Sequence, residues 1–339
     1  MVTDLTDSFG RRVTYLRISL TDRCNFRCVY CMPEHEVEHL ARPDLLTYEE
    51  IAEVVEVFAR AGVTRVRLTG GEPLLRAEVP RLVAMLKAIE GIERVALTTN
   101  AFLLRKNARA LAEAGLDSLN ISLDSLDDEL FRRISRVGTL ERVIGGIDAA
   151  AAAGFEPIKL NAVVMGGVND HELTDLVAFA AQRRAIMRFI EFMPIGGDTA
   201  WGEARCVPAA QMRERLSERW EVVPDPSRYG TGPARYMRVH GPEFGPEGWP
   251  VGIISAVTEC FCADCNRVRI SPQGGLRACL ADDHELDLRA VLRSAEPPAV
   301  KRDRLLALIG ASLGGKRETH SFDIEGESVT STRMHSIGG

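Results

Sequence analysis

The sequence predicts an α/β protein: an incomplete (βα)6 barrel of the TIM type followed by a smaller C-terminal lobe. Three observations carry this prediction. Short β-branched runs alternate six times with amphipathic segments up to about residue 190, and such alternation means a parallel sheet with helices packed outside it. The strand-like runs are interrupted by Arg17, Arg67, Thr98, Asn120, Ser122, Lys159, Asn161 and Arg188. An open, doubly wound sheet keeps its strands apolar, whereas polar groups in a barrel interior meet a bound ligand that partners them. After residue 200 the alternation gives way to short strands separated by turns. The expected division is therefore 1–200 for the barrel and 201–339 for the C-terminal lobe.

The elements follow in order. "YLRISL" (15–20) reads as the first strand, and "YEEIAEVVEVFARAG" (48–62) as a helix stopped by its glycine. "VTRVRLTGG" (63–71) is a strand ending in a glycine pair, followed by a helix over 77–91. Strands at 94–100 and 118–124 precede helices at 105–115 and 140–154. A strand at 158–165, a helix at 172–183 and a strand at 187–193 complete the series. Beyond residue 200, strands are expected around 218–224, 235–240, 252–257 and 267–280, the last bent by a hairpin turn at "SPQGG" (271–275). Helices are expected at about 285–293 and 302–313. In barrels of this type chemistry gathers at the carboxyl ends of the strands, and a cysteine cluster follows the first strand there.

Composition narrows the class. With 45% hydrophobic and 27% charged residues among 339, the chain is globular rather than disordered. No apolar run approaches a membrane span, and the opening "MVTDLTDSFGRR" lacks the pattern of a signal peptide. A cytoplasmic protein with reduced thiols is expected. A net charge of −6 argues against a nucleic-acid surface. Of the 42 basic residues only five are lysine, so a local group of arginines could clamp phosphate.

The eight cysteines form two clusters and a single residue, Cys206, expected to be a small buried side chain. Cys24, Cys28 and Cys31 follow a C-x3-C-x2-C spacing. Structural zinc wants a fourth ligand, and His35 and His39 could supply it. Alternatively, three thiolates hold a four-iron cluster and leave one iron open to a small chelating molecule. "TGGEP" (69–73) ends the second strand: its glycines permit close backbone approach to a ligand, and Glu72 offers an acceptor for an ammonium group. The second cluster, within "CFCADCNRVRISPQGGLRACL" (260–280), supplies Cys262, Cys265 and Cys279, again three ligands. Cys260 stands two residues from Cys262, a strained spacing for a shared cluster. Arg17, Arg67 and Lys159 lie in otherwise apolar strands. A buried cation needs an anion, either a carboxylate on a neighbouring strand or a bound triphosphate. Arg267 and Arg269, two apart, would share one strand face.

The first spacing, with Tyr30 before its last cysteine and "GGEP" after the second strand, resembles the radical S-adenosylmethionine (SAM) superfamily. Within it, the chain resembles the GTP 3′,8-cyclase family of molybdenum cofactor biosynthesis along nearly its whole length. The matching stretches are "LRISLTDRCNFRCVYCMP", "RLTGGEPLLR", "LTTN", "NISLDS", "KLNAVV", "RFIEFMP", "CNRVRIS" and the final "GG". The resemblance implies two [4Fe–4S] clusters, one on Cys24, Cys28 and Cys31 with SAM on its open iron, and one on Cys262, Cys265 and Cys279 with the guanine ring on its open iron. It implies SAM contacts from Tyr30, Gly71, Glu72, Ser122 and Met193. It implies GTP contacts from Arg17, Arg67, Thr98, Lys159, Arg267, Val268 and Arg269, and a catalytic set of Arg17, Arg267, Arg269, Gly338 and Gly339. A 5′-deoxyadenosyl radical would take the ribose C3′ hydrogen, and C3′ would then bond to C8. The resemblance also implies an external one-electron donor and a downstream cyclic pyranopterin monophosphate synthase, and it is compatible with a homodimer. Ala101 departs from it, standing after "TTN" where glycine is usual. The alternative is another radical SAM enzyme with an auxiliary cluster, such as a peptide-modifying one.

Overall fold

A computed structural model of the chain describes residues 4–34, 38–195, 205–320, 322, 330 and 333–337. The six expected strands form β1 (Tyr15–Ser19), β2 (Arg65–Thr69), β3 (Arg94–Thr99), β4 (Ser118–Ser122), β5 (Lys159–Gly166) and β6 (Ile186–Glu191). They lie in sequence order, each parallel to the next. A doubly wound sheet reverses its order at a switch point; an uninterrupted parallel series is the winding of a barrel.

The helices that return the chain are α1 (Tyr48–Arg60), α2 (Val79–Lys87), α3 (Leu104–Glu113), α4 (Asp128–Ser135), α5 (Leu140–Ala152) and α6 (Leu173–Gln182). α1 shows the local logic. Thr47 Oγ1 accepts from the Glu50 amide and Glu50 Oε2 accepts from the Thr47 amide, a capping box. Ile51, Val54, Val55 and Phe58 then bury one face in the core. α4 is absent from the sequence expectation. Asp127 caps it by accepting from the Leu130 amide at 2.6 Å, and Leu130, Phe131 and Ile134 bury its inner face.

The chain beyond residue 200 adds to the same sheet at both of its edges. It contains β7 (Arg205–Cys206), α7 (Ala209–Ser217), β8 (Glu221–Asp225), β9 (Arg235–His240), β10 (Trp249–Ile254), β11 (Arg267–Ile270), β12 (Gly275–Arg277), β13 (Leu286–Asp287), α8 (Leu288–Leu292), α9 (Pro298–Gly314) and α10 (Met334–Ile337). β10 runs parallel to β6 and carries β9 and β8 on its far side. β11 runs parallel to β1 and carries β12 and β13. The hairpin turn between β11 and β12 forms as expected, with the Ser271 amide donating to Gly275 O at 2.8 Å. The helix expected at 285–293 is confined to α8, because Leu286 and Asp287 pair with β12 instead. Among the described residues no helix is long and apolar enough to cross a membrane.

Ala101 keeps the turn that glycine would make, at φ +61°, so a side chain sits in left-handed backbone there. Cys206 is half-buried on the two-residue β7, opposite Met165.

A candidate active site between two cysteine triplets

The first triplet occupies the loop that leaves the carboxyl end of β1. Cys24, Cys28 and Cys31 are half-buried, and burial first, then Asp124, then the neighbouring Cys24 and Cys31 raise the Cys28 pKa. Burial first, then Glu72, pushes the Cys24 thiol up to about 11; burial first, then Cys24, pushes Cys31 up to about 12. Protons leave such thiols readily only when a cation replaces them. The Phe26 amide and Asn100 Nδ2 point at Cys24 Sγ, at 3.4 and 3.8 Å. Amide donors aimed at a thiolate sulfur suit an iron–sulfur ligand. Among the described residues no histidine joins the triplet as a zinc ligand: His39 Nδ1 faces Asp22 Oδ2 at 3.2 Å. His35 lies outside the described residues.

Two neighbours brace this loop. α4 receives it, because the Val29 and Arg27 amides donate to Ile134 O and Ser135 O, both at 3.0 Å. The glycine pair after β2 crosses it. A Cβ on Gly71 would sit 2.3 Å from Arg23 O and 2.5 Å from Arg23 C, and one on Gly70 2.8 Å from Thr21 O. The Gly71 and Glu72 amides donate to Thr21 O and Arg23 O at 2.7 and 2.8 Å. The glycine pair thus makes a close approach to the cysteine loop's own backbone.

Glu72 is fully buried and burial pushes its carboxyl up to about 7. Oε1 accepts from Leu74 N and Thr99 Oγ1 at 3.0 and 2.8 Å, and Oε2 from Asn100 N at 2.8 Å. The carboxylate therefore ties the β2 turn to the end of β3 and aims Asn100 at Cys24. Asn100 went unnoticed in the sequence, where "TTN" was its only signal. Tyr30 donates to Asp124 Oδ2 at 2.7 Å, and burial pushes Asp124 up to about 6. Ser122 ends β4 beside Asn161. Met193 follows β6, its carbonyl accepting from Ile195 at 2.9 Å.

The second triplet lies at the opposite end of the strands. Cys265 stands two residues before β11, its amide donating to Cys262 O at 3.1 Å in a tight turn, and Cys279 follows the antiparallel β12. The three are near enough for Cys265 and Cys262 to raise the Cys279 pKa, after the larger effect of burial. Cys265 behaves differently. Burial raises it, but Arg267 and Lys316 outweigh that and hold it down at about 7. Lys316 reaches across from the end of α9 to donate to Cys265 O and Arg267 O at 3.2 and 3.0 Å. Three thiols beside two cations form a donor set that fits an iron–sulfur cluster.

Between the triplets runs a band of cations. Register aligns Arg269, Arg17 and Arg67 side by side on β11, β1 and β2. Next to them, Thr98, Asn120 and Lys159 align across β3, β4 and β5. Arg67 Nε donates to Tyr15 Oη, and its Nη1 to Thr98 Oγ1 at 3.2 Å. The cations depress one another. Burial and then Arg269 drive Arg17 well below its usual pKa, and burial and then Arg267 hold Arg269 at about 10. Burial, then Arg188, then Arg67 and Arg94 bring Lys159 down to about 8. Among the described residues Arg67, Lys159, Arg188 and Arg267 face no carboxylate in an ion pair. Arg188, buried on β6, instead donates twice to Asn161 Oδ1, at 2.9 and 2.7 Å. Val268 alternates away from Arg267 and Arg269 into the apolar core, so only its backbone faces the interior. β1 spans about 13 Å at ~3.3 Å per residue, which sets the length of the band between the two cysteine ends.

Gly338 and Gly339 lie outside the described residues. The turn of helix before them, α10, docks on the first cysteine loop: Ile337 is buried, and His335 Nδ1 lies 3.4 Å from Cys31 O.

Comparison with known proteins matches residues 18–180 to the radical SAM superfamily and residues 185–322 to the molybdenum cofactor synthesis C family. The chain is 44% identical over 337 residues to the GTP 3′,8-cyclase of Rhodopirellula baltica, covering 99% of this chain and 92% of that one. It is 41% identical over 336 residues to the GTP 3′,8-cyclase of Geobacter sulfurreducens, covering 99% and 100%. Among solved structures, Streptococcus suis SuiB bound to S-adenosylmethionine shares the fold, with a TM-score of 0.62 and 14% identity over 93% of this chain and 78% of that one.

Proposed function

The chain belongs to the GTP 3′,8-cyclase family, and from that premise we propose how its residues divide the reaction. It is a radical SAM lyase that converts GTP to (8S)-3′,8-cyclo-7,8-dihydroguanosine 5′-triphosphate, the first step of molybdenum cofactor biosynthesis, with SAM and two [4Fe–4S] clusters as cofactors. When bound, the first cluster and SAM supply a 5′-deoxyadenosyl radical able to remove the ribose C3′ hydrogen.

Cys24, Cys28 and Cys31 hold the SAM cluster, and Asn100 steadies Cys24. Gly71, Glu72, Tyr30, Ser122 and Met193 line the SAM side. Cys262, Cys265 and Cys279 hold the second cluster. Arg17, Arg67, Thr98, Lys159, Arg267 and Arg269, with the Val268 backbone, hold GTP between them. Arg17, Arg267 and Arg269 together with Gly338 and Gly339 form the catalytic set. On this view residues 1–200 serve SAM, and residues 201–339 serve the second cluster and the purine.

The observation that carries the substrate assignment is the pair of cations Arg67 and Lys159, which face no carboxylate in an ion pair among the described residues, with Arg17 and Arg269 in register beside Arg67. Like charges held together under burial are costly unless an anion completes them, and a triphosphate offers several acceptors to arginine forks. Its placement between the cysteine triplets leaves the ribose near both. Electrons come from an external one-electron donor, and the product passes to a cyclic pyranopterin monophosphate synthase in the cytoplasm.

The test is anaerobic reconstitution with iron and sulfide, followed by SAM, GTP and a low-potential reductant. The expected result is 5′-deoxyadenosine and cyclised GTP in equal amounts. SAM cleavage that is indifferent to GTP, with no cyclised nucleotide, would overturn the assignment.

A further inference from the structure

Cys260 has no place in either triplet, yet it has company. Its Sγ, the Sγ of Cys262 and a ring nitrogen of His320 all lie within 4.8 Å of one another. His320 Nε2 is buried without a hydrogen-bond partner among the described residues, and the Ala256 backbone lies close enough to favour a proton on the ring. An imidazole nitrogen beside two thiols has the chemistry of a metal ligand set.

The arrangement is built rather than incidental. Arg11 Nη1 donates to Cys262 O and Glu318 O at 2.8 and 2.7 Å, and Nη2 to Arg317 O at 2.6 Å. Arg11 is itself buried and paired with Asp7 at 2.6 Å. One guanidinium thus fastens the turn carrying Cys262 to the segment carrying His320. Lys316 adds two bonds from that segment to Cys265 O and Arg267 O. Ligand positions set by such second contacts need little reorganisation to close on a metal. A tetrahedral zinc with bonds of about 2.3 Å to sulfur and ~2.0 Å to nitrogen separates its ligand atoms by about 3.6–3.8 Å, so the atoms need to draw together by at most about 1 Å. Ligation through Nε2 moves the ring proton to Nδ1, which gives up its bond from the Phe322 amide.

We propose that Cys260, Cys262 and His320 form a mononuclear site for a tetrahedral, thiolate-preferring divalent cation such as zinc, with its fourth position open to water. Because Cys262 also belongs to the second triplet, the mononuclear metal and the second cluster exclude one another. The exclusion rests on the cluster role of Cys262 given above; the mononuclear site does not.

The probe is cobalt(II), read by its thiolate-to-metal charge-transfer and tetrahedral d–d bands. Full-length Cys279→Ser protein carrying its SAM cluster should bind one equivalent, and the bands should be lost on adding Cys260→Ser or His320→Ala. Bands that survive both changes, or that vanish with Cys265→Ser instead, would overturn the site. Should Cys279→Ser fail to fold, wild-type chain given one equivalent of zinc before reconstitution should take up only half the iron, and Cys260→Ser chain the full amount. Equal iron in both would overturn the proposal. Wild-type protein that holds only four irons without zinc would sink the cluster role of Cys262, while the cobalt result would still decide the mononuclear site.

Discussion

Lys159 should make GTP affinity fall as pH rises. Its ammonium stands in a buried band facing Arg188 on β6, Arg67 on β2 and Arg94 on β3, and its pKa lies at about 8 instead of 10.5. A bound triphosphate supplies the missing negative charge and returns the pKa toward its ordinary value. Terminal phosphates complete their ionisation near pH 6, so the ligand's charge is constant above pH 7. At pH 7 about nine-tenths of the free protein carries the proton, and at pH 9 about one-tenth. Binding must then take up a proton at the higher pH, and linkage gives about a tenfold loss of affinity, roughly 1.4 kcal/mol, between the two. The assay is equilibrium dialysis of GTP at pH 7, 8 and 9 and constant ionic strength. Lys159→Arg keeps its charge across this window and should flatten the profile. Wild-type affinity independent of pH, or the same slope in Lys159→Arg, would refute the argument. The shift also has a sign for folding. The unfolded chain keeps this proton to about pH 10.5 and the folded chain releases it near 8. This residue's contribution to stability therefore rises with pH between those values and is least below 8.

Three further outcomes are expected. Iron analysis should find about eight irons per wild-type chain. Replacing Cys24, Cys28 or Cys31 should abolish SAM cleavage, whereas replacing Cys265 or Cys279 should leave uncoupled cleavage and no cyclised GTP, as read by chromatography. Gly71→Ala drives a methyl group into the Arg23 carbonyl; overpacking and two strained amide bonds should cost about 2–4 kcal/mol, and normal iron retention and thermal midpoint would count against that contact. Ala101→Gly should relieve the left-handed backbone strain at φ +61° and add about 0.5–1 kcal/mol, net of the freedom glycine gains in the unfolded chain; scanning calorimetry should show a higher midpoint.

Much of this architecture was legible because it is written locally. The six strands announce themselves by β-branched runs and their helices by apolar spacing, and Arg17, Arg67 and Lys159 stood out as cations inside such runs. What was hidden depends on residues far apart in sequence. Nothing near residue 267 says that β11 lies beside β1, yet that pairing is what brings Arg269 level with Arg17. Glu72 was visible as part of "GGEP", but its bonds to Thr99 and Asn100 belong to another strand's turn. α4 escaped notice because its eight residues, DELFRRIS, contain only three large apolar side chains, and its worth is its carbonyls' grip on the cysteine loop. Arg11 carries no signal in its own stretch of sequence, because its partners are at 262, 317 and 318.

The pairing of β1 with β11 also bears on how the chain is made. Thr14 and Asn266 meet across 252 residues of sequence. While the polypeptide emerges from the ribosome, the parallel sheet can assemble through β6 with both of its flanks uncovered, β1 on one side and β6 on the other. Such open flanks invite pairing with other nascent chains. They stay open until β10 and β11 arrive, late in synthesis. The same delay keeps the sheet's interior accessible, so the window in which the newborn protein is most prone to aggregate is also the window in which iron and sulfide can reach the first cysteine loop with least obstruction.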